Sequence, residues 1–307
     1  MMSVLTLKGS RVLLTGASGF IGGALKDRLL SDGVQVHAVS RSARTSDEPG
    51  LHWHQADLAD ERAVQQLFAD VRPDGVFHLA SEVTGGRETG LVVPTLKGNL
   101  LGAVHILSAA TEQGCRRVVL AGSLEEPDGS EAATAVPCSP YAAAKWAASG
   151  YARMFHALYQ TPAVLARLFM VYGPGQHDFR KLVPYVSRAL AQGVSPQLSS
   201  GHRPVDWVFV DDVVEGLVRM AQTPGIDGQT VDLGSGELHT IREVVTLLCE
   251  LSAPCPAPAF GALPDRPLEQ VKVADTDQTQ RQLGWRPCTP LRQGLQRTVD
   301  WVRALPA

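Results

Sequence analysis

The chain has 307 residues, of which 44% are hydrophobic and 19% charged, and its net charge is −3. A chain of this size can bury a large core, as one big domain or as two closely joined ones. The small negative charge and the lack of a basic run argue against a nucleic-acid partner. We expect no signal peptide in Met1–Lys8, no apolar stretch that approaches a membrane span, and so no membrane partner.

Five cysteines, an odd number without C-x-x-C spacing, indicate reduced thiols rather than a disulfide framework or a zinc site: Cys115, Cys138, Cys249, Cys255 and Cys288. The histidines show no metal-ligand spacing, and His52, His54 and His78 are interpreted as packed side chains. The sequence therefore predicts a cytoplasmic protein without a metal site.

Strands and helices alternate in the first half of the chain. The predicted strands are Arg11–Thr15, Val34–Val39, Leu51–Gln55, Gly75–Leu79, Arg116–Ala121 and Ala163–Phe169. The predicted helices are Phe20–Leu30, Glu61–Val71, Leu91–Gln113 and Pro140–Tyr159. Strands separated by helices of this length require right-handed crossovers, so the pattern predicts an α/β fold with a doubly wound parallel sheet.

The alternation breaks after residues 172–175. Predicted helices follow at Leu182–Gln192, Asp211–Ala221, Ile241–Leu251, Thr276–Leu283 and Leu291–Val302, with strands at Asp206–Val210 and Thr230–Leu233 and a proline-rich loop at 253–267. We assign residues 1–170 to a dinucleotide-binding domain and 171–307 mainly to a smaller, interleaved α/β substrate region. The strand and helix near 206–233 are expected to return to the first domain.

Three glycines, Gly16, Gly19 and Gly22, stand between the first strand and the first helix. Gly16 permits a sharp turn, Gly19 lets backbone N–H groups approach a pyrophosphate, and Gly22 lets the helix pack close to the strand. A strand-to-helix turn that binds nothing is the alternative, since a glycine pattern alone is weak evidence.

Tyr141 and Lys145 are four residues apart at the start of the second long helix, so their side chains share one face. An ammonium beside a phenol is expected to lower the pKa of the phenol and make it a usable acid or base. The alternative is a buried tyrosine and a solvated lysine.

Further motifs follow in order along nearly the whole chain: 15–22, Asp57-Leu58, 78–81, Asn99, Gly122-Ser123, Tyr141 with Lys145, Arg167, 171–175, 210–213 and 283–285. Together they resemble the extended short-chain dehydrogenase/reductase superfamily, in its NAD(P)-dependent branch of sugar-nucleotide epimerases, dehydratases and reductases. The resemblance implies a Rossmann-type fold. It also implies a nucleotide-diphosphate sugar as substrate and a homodimer built on the helices that contain Asn99 and Tyr141, with Ala143, Ala147 and Ala148 allowing close approach.

The resemblance implies roles for individual residues. Tyr141 exchanges the proton of the reacting oxygen, Ser123 hydrogen-bonds that oxygen, and Lys145 binds the nicotinamide ribose. The implied cofactor contacts are Gly16, Ser18, Gly19, Phe20, Ile21, Gly22, Asp57, Leu58, Leu79, Ala80, Ser81, Asn99, Tyr141 and Lys145.

The end of the second strand bears on which nicotinamide cofactor is bound. An acidic residue there typically binds the ribose 2′-OH of NAD, whereas an arginine accommodates the 2′-phosphate of NADP. Here Ser40 and Arg41 follow Val39 without a carboxylate. Charge complementarity favours NADP(H) over NAD(H), which remains possible. An exposed arginine without a ligand is the alternative.

The implied substrate contacts are Ser123, Met170, Lys181, Leu182, Arg203 and Arg266, whose cations would converge on a diphosphate. Met170 departs from the asparagine that many relatives have. Glu125 matches a catalytic base of dehydratases and also occurs in keto-sugar reductases, while Leu124 replaces the acid that dehydratases often have between the two residues.

Three functions are compared. The leading hypothesis is an NADPH-dependent reductase of a nucleotide-activated keto-deoxysugar, since NADP preference implies net redox chemistry. The second is an epimerase or dehydratase with a transient 4-keto intermediate. The third, a non-catalytic NADP-binding sensor, is disfavoured because Ser123, Tyr141 and Lys145 are all present.

Overall fold

The computed structural model describes residues 5–127 and 134–306, so Met1–Lys8 lies partly outside the described residues. The described strands are β1 Arg11–Thr15, β2 Gln35–Ser40, β3 Leu51–Gln55, β4 Gly75–His78, β5 Arg117–Ser123, β6 Ala163–Leu168, β7 Met170–Tyr172, β8 Pro204–Phe209, β9 Thr230–Leu233 and β10 Leu238–Thr240. Seven of them form a wholly parallel sheet in the order β3-β2-β1-β4-β5-β6-β9. The strand order reverses between β1 and β4, which opens a crevice at the carboxyl ends of the strands. The predicted doubly wound α/β fold is confirmed.

Helices cover both faces of this sheet. The described helices are α1 Phe20–Ser31, α2 Glu61–Val71, α3 Val92–Thr95, α4 Gly102–Glu112, α5 Pro140–Tyr159, α6 Leu182–Ala191, α7 Val210–Gln222, α8 Ile241–Ser252, α9 Thr276–Leu283 and α10 Leu291–Arg303. Of these, α6, α8 and α10 pack mainly on one another rather than on this sheet. Side chains alternate along a strand, so Val12 and Leu14 pack in the core cluster beneath α1 and α7, and Leu13 packs in the cluster beneath α2 and α4. Burial on both faces explains the continuous apolar run of β1.

A second, three-stranded sheet follows the large one in the chain. Its order is β10-β8-β7, with β7 parallel and β10 antiparallel to β8. The strand predicted near 206 pairs within this small sheet, whereas β9 pairs with β6 in the large sheet and α7 packs on α1, β5 and β6. The short strands β7 and β10 were not predicted, because three residues carry no readable alternation.

The helix predicted over Leu91–Gln113 is interrupted. A π-helical segment, Leu96–Leu101, lies between α3 and α4. Such segments are rare, occur frequently at functional sites, and here the wider turn holds Asn99 fully inside the protein. Sequence periodicity could not reveal the insertion, because the apolar pattern continues through it.

The same stretch corrects the expectation about membrane spans. Thr89–Glu112 has 24 residues and a mean hydropathy of 1.3 over its best window, which is long and apolar enough to cross a membrane by length and composition alone. Core helices of other proteins pass the same criterion, and α4 packs on α2, β4 and β5. The expectation of no membrane partner therefore stays a prediction.

Candidate active site

The glycine turn after β1 fits a pyrophosphate. Gly16 has φ +76°, and a Cβ there would lie 2.7 Å from the backbone nitrogen of Ala80. A Cβ on Gly22 would lie 2.1 Å from the carbonyl oxygen of Gly16. Gly19 precedes α1 without any described side chain capping the helix, so the first N–H groups remain available to an anion.

The end of β4 is fastened to β1 beside this turn. The hydroxyl of Thr15 is hydrogen-bonded to Nδ1 of His78 at 2.9 Å and accepts the N–H of Ala80 at 3.1 Å. Burial, with a smaller contribution from Lys145, lowers the pKa of His78 to about 3. His78 is therefore neutral and packed, as the sequence suggested.

The segment after β4 is held by Asn99. Its Oδ1 accepts the hydroxyl of Ser81 at 3.0 Å and the N–H of Glu82 at 2.7 Å, and its Nδ2 donates to the Glu82 carbonyl at 3.3 Å. Asn99 is 1% exposed and does not line the cleft. Asn99 therefore holds the backbone of the segment after β4, and its predicted cofactor contact stays a prediction.

Three predicted catalytic residues meet where β5 and α5 adjoin. Ser139 caps α5 by accepting the N–H of Ala142 at 3.1 Å, and Pro140 occupies the first turn, which fixes Tyr141 one residue later. The Ser123 hydroxyl is hydrogen-bonded to Tyr141. Lys145 donates to the carbonyl oxygen of Ala121 at 2.8 Å, and its Nζ lies 5.9 Å from the centre of the Tyr141 ring.

The electrostatics of this group correct one expectation. Burial raises the pKa of Tyr141 above its usual value, the hydrogen bond from Ser123 lowers it, and Glu125 and Glu126 raise it further. Burial lowers the pKa of Lys145 to about 8, against the opposing effect of Glu126. The prediction that Lys145 lowers the pKa of Tyr141 is wrong in this structure, because loss of solvation dominates.

Two adjacent glutamates take different positions. Glu125 lines the cleft, and its Oε2 accepts hydrogen bonds from the thiol of Cys138 at 3.4 Å and the hydroxyl of Ser139 at 3.3 Å. Glu126 points inward, where its Oε1 accepts the Ser123 N–H at 2.8 Å. Burial raises the pKa of Glu126, opposed by hydrogen bonds from Ser149 and Ser123 and by the charges of Lys145 and Arg167.

Cations from the second half of the chain approach the same cleft. The pKa of Lys181 is lowered, first by burial, while Asp178 opposes this effect and Arg180 and Arg266 add to it. Arg203 forms an ion pair with Glu269 at 2.9 Å. Two of the three predicted diphosphate ligands, Lys181 and Arg266, therefore lie near each other, and the third is already paired with a carboxylate.

The glycine turn, the group of Ser123, Tyr141 and Lys145, and the cations of the second half of the chain border one cleft of about 2680 Å³. That volume exceeds the ~300–1,000 Å³ of a site for one drug-sized ligand, so two large ligands can bind together. Every predicted site residue except Asn99 lines it: Gly16, Ser18, Gly19, Phe20, Ile21, Gly22, Ser40, Arg41, Asp57, Leu58, Leu79, Ala80, Ser81, Ser123, Glu125, Tyr141, Lys145, Met170, Lys181, Leu182, Arg203 and Arg266.

Sequence reasoning missed residues that line the cleft from loops. Glu82, Thr84 and Gly85 follow β4, and Phe179 precedes α6. The Arg266 guanidinium lies so close to Gly85 that a Cβ there would be 2.6 Å from its Nη1. In the sequence, only the glycines at 85 and 86 could have indicated that another side chain packs closely against this loop.

The comparisons with known proteins agree with this geometry. Residues 12–234 match the NAD dependent epimerase/dehydratase family. The chain belongs to this family. It is therefore an enzyme of the sugar-nucleotide branch of the short-chain dehydrogenase/reductase superfamily, and the resemblance drawn from the sequence is confirmed.

Two curated relatives match over nearly their full length. The UDP-glucose 4-epimerase of Mycolicibacterium smegmatis is 33% identical, over 95% of this chain and 98% of the relative. The dTDP-glucose 4,6-dehydratase of Neisseria gonorrhoeae is 29% identical, over 94% of each chain.

Two solved structures share the fold. The UDP-glucose 4-epimerase of Thermotoga maritima with UDP-glucose has a TM-score of 0.86 at 25% identity, covering 95% of this chain and 98% of that chain. The Thermus thermophilus UDP-glucose 4-epimerase in complex with NAD has a TM-score of 0.83 at 28% identity, covering 96% and 99%.

We predict that Gly22→Ala damages the turn while Gly23→Ala does not. A Cβ at Gly22 would overlap the Gly16 carbonyl, whereas one at Gly23 would meet the Ala17 oxygen at an ordinary 3.7 Å. Gly22→Ala should cost about 1–3 kcal/mol of stability and weaken binding of NADH, which thermal unfolding and fluorescence titration measure. Gly23→Ala, the matched control, should be neutral or stabilising by up to about 1 kcal/mol. Equal effects of the two variants would contradict the close approach.

Proposed function

We propose that this protein oxidises a hydroxyl of a nucleoside diphosphate sugar to a keto group and then reduces the keto sugar again, as an epimerase or dehydratase does. The observation that carries the proposal is the convergence of Ser123, Tyr141 and Lys145 on a cleft that also contains the glycine turn. The activities named for the epimerase and dehydratase relatives support it.

The residues of the chain divide the work. A nicotinamide dinucleotide, bound at the glycine turn, supplies reversible hydride transfer to and from a sugar carbon. Tyr141, whose pKa is raised, keeps its proton at neutral pH and can deliver it to a keto oxygen. In the oxidising direction the deprotonated form of Tyr141 would accept the proton of the sugar hydroxyl as hydride leaves the carbon, and Ser123 would orient the reacting oxygen.

The second half of the chain would hold the nucleotide. The pKa of Lys181 is lowered mainly by burial, and the charges of Arg180 and Arg266 lower it further in the absence of an anion. A diphosphate between Lys181 and Arg266 offsets the repulsion between their charges. UDP-glucose and dTDP-glucose are the substrates to try first, since they are named for the relatives.

Between the two activities we favour epimerisation. Dehydration needs an acid for the departing hydroxide, and Leu124, which follows Ser123, is apolar. Inversion at one carbon needs only that the keto sugar presents its other face before reduction, and the wide cleft has room for that movement.

The decisive test is whether conversion is redox-neutral. With UDP-glucose or dTDP-glucose and only a trace of NAD or NADP, we expect the C4-inverted sugar by NMR without lasting change in absorbance of the reduced cofactor. Tyr141→Phe should retain NADH binding and lose about 10²–10⁴-fold in rate, the usual contribution of general acid–base catalysis. Tyr159→Phe, an exposed residue at the far end of the same helix, is the matched control. Unchanged turnover in Tyr141→Phe would contradict the assignment.

A reductase of a keto-deoxysugar is the second candidate. It is favoured by the carboxyl end of β2, where Ser40 and Arg41 stand without a carboxylate and NADP(H) would be preferred. A reductase would consume one NADPH for each keto sugar and would leave UDP-glucose unchanged. The redox-neutral assay therefore separates the two candidates.

Glu125 distinguishes epimerisation from dehydration. Inversion by hydride transfer moves no proton at the neighbouring carbon, so Glu125→Gln should keep its rate within about tenfold, and turnover in D₂O should leave that carbon unlabelled. A dehydratase would place deuterium beside the carbonyl, and Glu125→Gln would lose about 10²–10⁴-fold. Mass spectrometry and NMR of the product sugar measure both. Labelling that disappears in Glu125→Gln would overturn the epimerase assignment.

We also propose a homodimer through α3, the π segment and α5. Val92, Val93 and Leu96 are exposed on the first stretch, and Tyr151 and Leu158 on α5. Ala143 is exposed too, but Ala148 packs inside the core. Ala148 is therefore not part of the predicted close approach.

Sedimentation at micromolar concentration should give twice the chain mass. Val93→Glu should shift the equilibrium towards monomer, because it places a charge in an apolar interface. Val194→Glu, equally exposed but after α6, is the control. A monomeric mass for the unaltered protein would contradict the dimer.

A further inference from the structure

An ion pair spans the entrance of the cleft, between the end of β2 and the segment after β4. Nη1 of Arg41 lies 2.9 Å from Oε1 of Glu82, and both side chains line the cleft. Arg41 stands where these folds read the 2′ position of the adenosine ribose. The cation that favours NADP(H) in the sequence therefore has a carboxylate beside it in the structure.

Glu82 is held in place from behind. Asn99, which is fully buried, accepts the N–H of Glu82 and donates to its carbonyl oxygen. Gly98 leaves room for the stem of Glu82, because a Cβ at Gly98 would lie 2.9 Å from the Glu82 Cγ. The hydrogen bonds of Asn99 fix the backbone of Glu82, and this backbone places the Glu82 carboxylate beside Arg41.

We infer that the Arg41–Glu82 pair sets cofactor selectivity, with Glu82 acting against a ribose 2′-phosphate. This inference rests on the proposed function, in which a nicotinamide dinucleotide binds at the glycine turn. Glu82 cancels the attraction of Arg41 for a phosphate and supplies the carboxylate that the end of β2 lacks. The protein then binds NAD(H) at least as tightly as NADP(H), despite Arg41.

The pair need not be strong to have this effect. Its side chains are 76% and 43% exposed, and exposed ion pairs contribute little to stability. A 2′-phosphate, however, carries nearly two negative charges and responds to the local sum of charge. That sum is close to zero for the pair and positive for Arg41 alone, and the difference falls as salt screens it.

The test compares binding of NADH and NADPH to the full-length protein by fluorescence titration, without substrate. Glu82→Gln, which removes the charge and keeps the shape, should shift the ratio of the two dissociation constants towards NADPH by about tenfold. Glu82→Asp, which keeps the charge, should remain near the ratio of the unaltered protein. Glu88→Gln removes a charge from the same loop outside the cleft lining and should change nothing.

The outcomes separate the two levels of the argument. If neither dinucleotide binds, the proposed function fails. If both bind but Glu82→Gln leaves the ratio within about twofold of that of the unaltered protein, the selectivity role of Glu82 is wrong. A tenfold preference of the unaltered protein for NADPH would also overturn it. The Glu82→Gln shift should shrink in about 1 M salt, where the screening length is about 3 Å, whereas a shift through altered shape would persist.

Discussion

A buried ammonium constrains the rest of this structure. Lys145 is 4% exposed, and its Nζ donates to the Ala121 carbonyl within the sheet. A charge in such a place is tolerated only when polar groups compensate it. Glu126 provides part of the compensation, because it opposes the fall in the pKa of Lys145 while its own carboxylate binds the N–H of Ser123. The carboxyl end of β5 and the first turn of α5 are thereby fixed to each other.

This contact between β5 and α5 positions the catalytic side chains, and loops contribute little to it. Ser123 is the last residue of β5, and Tyr141 is the second residue of α5, after the cap formed by Ser139. Sites built on rigid elements hold geometry better than sites built on loops. The substrate side is different, since Lys181 precedes α6 and Arg266 lies in the loop after α8. The catalytic side chains therefore lie on regular secondary structure, whereas the side chains proposed to bind the substrate lie on loops, which vary more readily.

The sequence predicted well whatever depends on residues near one another in the chain. Strand and helix positions, the glycine turn and the alignment of Tyr141 with Lys145 all follow from local spacing. It failed where distant segments decide the outcome. Glu82 is 41 residues from Arg41, so the ion pair has no local signature. The pKa of Tyr141 rises because of the burial that the whole fold imposes. Asn99 is buried within a π segment that the sequence pattern does not reveal.

Three departures from regular structure lie in or beside the cleft, and each has a local physical effect. Gly22 brings α1 against the turn after β1, and the π segment carries Asn99 inward to the backbone of Glu82. Two neighbouring strand ends, β1 and β4, are joined through Thr15 and His78 between these features. Strain and rare geometry persist only where surrounding structure over-determines them, and they cluster at sites that must be preorganised. Glu82 and the glycine turn are therefore held by the same framework. Tyr141 is held separately, by β5 and α5, so a change of one charge at Glu82 is expected to alter cofactor selectivity and leave the chemistry at Tyr141 unchanged.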